Sequence, residues 1–84
     1  MTTMPTIVKA SIENHKTMVL NAKLIGTCTS NFMYALGYLS ALYEAEIIND
    51  TQYLDASLEL TDSFTEAKLR LEPKIEILTA YVEA

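Results

Sequence analysis

Cysteine, histidine, glycine, proline and tryptophan are all scarce in this chain of 84 residues: one, one, two, two and none. The lone Cys28 excludes an intrachain disulfide and an all-cysteine metal cage, and it suits a reducing compartment, for which the cytoplasm is the simplest address. The lone His15 has no glutamate three residues before it, the spacing that a carboxylate-bridged metal bundle requires, so no metal and no cofactor are expected. With two glycines there is no glycine-rich phosphate loop. Basic residues are outnumbered eleven to six, giving a net charge of −5 and a pI near 4.6. Such a balance disfavours a broad nucleic-acid or anionic-membrane footprint, because both targets are polyanions.

The amino terminus, Met1-Thr2-Thr3-Met4-Pro5, lacks the basic start and apolar stretch of a secretory signal. From Leu24 to Tyr43 formal charge is missing altogether, over about the length of a membrane span. The polar run Thr27-Cys28-Thr29-Ser30-Asn31 inside it reads as a helix boundary instead, and no membrane span is expected.

What is present is helical periodicity. Half the residues are hydrophobic, and they recur at spacings of three and four with no alternating segment that would read as a strand. Val8, Ile12, His15, Val19, Ala22 and Gly26 make one face of a first helix, which Gly26 would stop, with Ser30 or Thr29 as a cap for the next. Phe32 to Ile48 carries only Glu44 and Glu46 as charges, so this helix is apolar almost all round and reads as the centre of the fold. Asn49 followed three residues later by Gln52 resembles a capping box that opens the next helix, and Ser63 with Glu66 is a second possible one. Ser57, Leu60, Phe64, Ala67, Leu71, Ile75, Leu78 and Val82 keep phase across Pro73, where a proline would kink or break the helix. The expectation is a single all-α domain over 1–84, a bundle of three to four helices built on a central antiparallel hairpin. Its helices fall at about 5–25, 30–48, 51–72 and 73–82. A chain of this length buries only about 60% of its unfolded surface, so a homo-oligomer, first of all a dimer, is expected to supply stability.

Several residues invite a functional reading and a plainer one. His15 on an apolar face suggests a pH-sensitive or ligand-binding imidazole, yet a lone histidine has no catalytic partner and a seam-edge hydrogen-bonded role is the simpler account. Cys28 lies some 13 residues, roughly 20 Å along a straight helix, from His15, which argues for a packed thiol over a nucleophile. Thr27, Thr29, Ser30 and Asn31 at a helix start suit capping better than anion binding. Asp55, Glu59, Asp62 and Glu66 align four carboxylates on one side of a helix, either a solvated face, with Lys9, Lys16 and Lys23 as nearby cations, or a docking face for a basic protein. Tyr34, Tyr38 and Tyr43 are candidate binding anchors, and Gly37, Ala41 and Ala45 form a small-residue stripe for close helix packing.

The segment Gly37-Tyr38-Leu39-Ser40-Ala41-Leu42-Tyr43-Glu44-Ala45-Glu46-Ile47-Ile48-Asn49-Asp50-Thr51-Gln52-Tyr53 resembles the central hairpin of many short helical proteins of phages and mobile elements. That resemblance covers about a fifth of the chain, transfers no site residue, and implies an accessory protein that acts by binding, in the style of anti-CRISPR and other anti-defence inhibitors. The expected function is therefore non-enzymatic: an inhibitor or regulator that docks helical surfaces on a larger protein, with a basic or nucleic-acid-binding surface among the candidates, and not on nucleic acid or membrane directly. Two alternatives are an oligomer that sequesters a nucleotide-like anion between Lys9, Lys16, Lys23 and a helix start, and a purely structural oligomerisation module.

Overall fold

The structure, a computed structural model, describes residues 3–71. Three helices, α1 (Thr6–Leu20), α2 (Ile25–Glu44) and α3 (Asp50–Leu71), each pack against the other two, and no strand occurs among the described residues. The architecture is the all-α bundle that the periodicity implies. The expected terminal piece from Pro73 to Val82, and the break at Pro73, lie outside the described residues.

Helix α1 begins after Pro5, whose extended backbone leaves its carbonyl to accept from the amides of Val8 (3.0 Å) and Lys9 (3.1 Å). Its far end departs from the sequence reading. The helix stops at Leu20 rather than near Ile25, α2 starts at Ile25 rather than near Ser30, and Gly26 sits exposed in the first turn of α2 instead of ending α1. The early turn lets Val19, Ala22 and Cys28 meet Ala67 of α3 in one buried cluster, with Phe32, Phe64 and Leu71 against it. Burial of that cluster decides the boundary over the local glycine signal.

Helix α2 also ends early, at Glu44 instead of Ile48, and the cause is a backbone motif. Glu46 takes a left-handed conformation (φ 61°), while the amide of Ile47 donates to Leu42 (2.9 Å) and that of Glu46 to Tyr43 (3.0 Å). These two bonds satisfy carbonyls that a helix end would otherwise leave unpaired, in the arrangement known as a Schellman motif. The turn then enters α3 through the expected capping box. The Gln52 amide donates to the Asn49 side chain (2.8 Å), and the Asn49 amide donates to the Gln52 side chain (2.9 Å). Beyond it α3 runs unbroken through Thr61-Asp62-Ser63, because Ser63 is buried in the helix interface and opens no new cap.

The main core joins all three helices: Val8 and Ile12 from α1, Ala35, Leu39 and Leu42 from α2, and Ala56 and Leu60 from α3, with Ile48 at the turn. Phe32 packs against both clusters and stacks on Phe64 with ring centroids 4.3 Å apart. Helix α2 is central in the sense that it carries buried residues toward both neighbours. It is not enclosed: Ser30, Met33, Tyr34, Gly37 and Ala41 face outward.

Candidate functional site

The outer surface of α3 carries two parallel rows. Leu54, Leu58, Thr61, Thr65 and Leu69 follow at spacings of four, three, four and four, which keeps them on one side of a helix. All five are exposed, Leu69 to 66% of its surface. One residue further on at each step stand Asp55, Glu59, Asp62 and Glu66, all exposed as well. A ridge of three leucines and two threonines therefore runs beside a carboxylate row along the helix. The sequence reading found the row and missed the ridge. Its signal is there in the spacing of Leu54, Leu58 and Leu69, masked by the stronger inward series through Leu60 and Ala67.

The carboxylate row borders α1. Lys16 reaches across to Glu59 (3.5 Å) and along its own helix to Glu13 (3.1 Å). Burial pulls its ammonium pKa down, but the hydrogen bond to Glu13 and the charges of Glu59 and Glu13 outweigh that and leave it raised. Asp55 and Glu59 also line a groove of about 510 Å³ between α1 and α3, together with Lys9 and Glu13. Lys23 lies elsewhere, at the corner between α1 and α2 beside Arg70. The lysine row thus does not converge on the start of α2, and the hydroxyls do not open it. Thr29 instead donates its hydroxyl to the Ile25 carbonyl (2.9 Å), one turn back.

The three tyrosines have three different environments. Tyr34 is 73% exposed. Tyr38 is half-buried, with the His15 ring centroid 4.8 Å from its own, and Tyr34 contacts the same imidazole at 5.8 Å. His15 thus sits at the α1–α2 seam edge between two aromatic rings. Tyr43 hydrogen-bonds Asp50 and packs on Tyr53, which raises its phenol pKa through the hydrogen bond and charge of Asp50. Of the set, Tyr34 is the ring best placed to meet another molecule.

Cys28 is buried and donates its thiol to the Val19 carbonyl (3.6 Å). Burial pushes the thiol pKa up, against a smaller opposing pull from Arg70, so the residue is poorly suited to nucleophilic work. Two other side chains act at the same corner. Asn31 donates to the Met18 carbonyl (3.1 Å), and Arg70 donates to the Ala22 carbonyl (2.8 Å). The polar run in α2 thus closes the end of α1, where the sequence suggested a cap for α2 itself. Helix α2 has no side-chain cap hydrogen bond at its own start.

Among the described residues, the stripe Gly37, Ala41 and Ala45 does not pack one helix on another. All three residues are exposed, and a Cβ placed on Gly37 would meet nothing within 4 Å. The physical reason is phase: the inward face of α2 is Cys28, Ala35, Leu39 and Leu42, which places the stripe on the opposite side. Glycine in an exposed helix interior costs about 1 kcal/mol relative to alanine, and contacts with the other described residues do not offset it.

Among the described residues there is no group of three or more His, Cys, Asp or Glu placed to hold a metal ion, and no helix is long and apolar enough to cross a membrane. No family model matches the chain, and comparison with curated proteins and with solved structures returns no match.

Proposed function

We propose that the chain is a non-enzymatic binding protein that regulates or inhibits a larger protein by docking the outer face of α3 on a basic, partly apolar surface. The observation that carries this reading is the exposed Leu54–Leu58–Leu69 ridge lying beside Asp55, Glu59, Asp62 and Glu66. An apolar ridge gives contact area, and a flanking carboxylate row steers a cationic partner and fixes its register. The two residues with the most chemical potential are engaged structurally, Cys28 on a carbonyl and His15 between tyrosine rings. The setting that accords with this reading is the cytoplasm, and the class of accessory protein is the anti-defence type carried by phages and mobile elements.

Affinity capture from bacterial lysate tests it, with wild type, Leu58→Asp, and the pair Asp62→Lys with Glu66→Lys immobilised side by side. Proteins held by wild type are expected to be lost from both variants and released by salt. Equal retention on all three would remove α3 as the docking face.

A further inference from the structure

A second surface, the exposed side of α2, is free of charge as far as Glu44. Helix α2 has no charged residue before Glu44, and Lys9, Glu13, Lys16, Asp55 and Glu59 gather about the groove between α1 and α3. The uncharged side displays Met33 (61% exposed) and Tyr34, and on α1, the helix that carries His15, Ile7 and Met18 are exposed as well. Tyr34 stands up from this face, and one turn further on Gly37 leaves a shallow groove of about 340 Å³ bounded by Tyr34 and Tyr38.

We infer that this face pairs with a second copy of the chain through an antiparallel α2–α2 contact in which Tyr34 of each copy seats over Gly37 of the other. A two-fold interface demands that if one residue meets another, the second also meets the first. Placing the axis level with the midpoint of Tyr34 and Gly37 satisfies this along the whole exposed side of α2. Ser30 then meets Ala41 and Gly26 meets Ala45, small residue against small, while the large ring meets the residue without a side chain. Glu44 falls opposite Thr27, so no like charges are opposed, and the acidic α3 rows stay on the outside.

The area is sufficient. Helix α2 has 20 residues and α1 has 15, about 30 and 22 Å of axis at 1.5 Å per residue, and at about 10 Å of width each they offer roughly 500 Å² per copy. Two copies bury about 1,000 Å², the area that a specific interface has to reach. This pairing leaves α3 open and does not depend on the function proposed for it.

Sedimentation of the full chain across the micromolar range, with helicity followed by circular dichroism, provides the test. The expected mass is twice 9.4 kDa. Gly37→Leu fills the groove while suiting a helix better than glycine, and Tyr34→Ala removes the ring. Each is expected to keep its helicity and weaken dimerisation about 30-fold, the loss of a central anchor. In a Cys28→Ala background, Ser30→Cys combined with Ala41→Cys should be joined between copies by a short bis-maleimide, whereas either new cysteine alone should not, since each lies 11 residues, about 16 Å, from its own equivalent in this register. A monomer at every concentration, a dimer indifferent to Gly37→Leu, or cross-linking by a single cysteine would each overturn the inference.

Discussion

The two corners of the bundle solve one problem with different reach. Both must satisfy the carbonyls at a helix end. The corner between α2 and α3 does so locally, with the Glu46 turn and the Asn49–Gln52 exchange, whose partners lie within five residues of each other. The corner between α1 and α2 has local bonds as well, from the amides of Asn21 to Thr17 and of Ala22 to Val19, but it adds Cys28, Asn31 and Arg70, which lie 9, 13 and 48 residues from the carbonyls they serve. Local closure depends on residue types in order. Remote closure depends on the fold already being in place.

The largest effect should come from the remote corner. Arg70→Met is expected to lower stability by about 2 kcal/mol, because it leaves the part-buried Ala22 carbonyl without its charged donor. Urea unfolding measures this, and a change of a few tenths would mean that solvent replaces the guanidinium and that the corners are equivalent. Asn49→Ala should cost about 1 kcal/mol, as the loss of a helix cap does. Glu46→Gly should act in the opposite direction, raising stability by about 0.5 kcal/mol, since glycine adopts the left-handed turn without a Cβ penalty. The smallest test is alkaline. Cys28 and Lys16 are both raised in the folded chain, so the stability they contribute is fully present below their ordinary values of 9.0 and 10.5 and lost as pH rises past them. Melting temperature should be level from neutral pH to about 9 and fall above it. In Cys28→Ala the first part of that fall should disappear; its persistence would place the alkaline sensitivity outside this corner.

The same contrast explains what the sequence disclosed. The capping box at Asn49 and Gln52 was legible because its two partners are three residues apart and their chemistry is reciprocal. The inward faces of α1 and α3 were legible because Val8, Ile12, Val19, Leu60 and Ala67 keep helical spacing. The α1–α2 boundary was misread because Gly26 and Ser30 give a reasonable local signal, overridden by a cluster whose decisive member, Ala67, lies some forty residues away. Glu46 was overlooked as a helix terminator because a glutamate in a left-handed turn has no sequence signature. At the candidate sites the carboxylate row and Tyr34 could be picked out by spacing and residue type. Which side of α2 lay open could not, because a helix without charge gives no polar face by which to orient it.

Arg70 has a consequence for the order of assembly. As the chain emerges from a ribosome, the first hairpin is complete in sequence long before residue 70 arrives, so the Ala22 carbonyl waits open until most of α3 has been made. The bond from the Arg70 guanidinium to that carbonyl is therefore one that only the last described turn of α3 can supply.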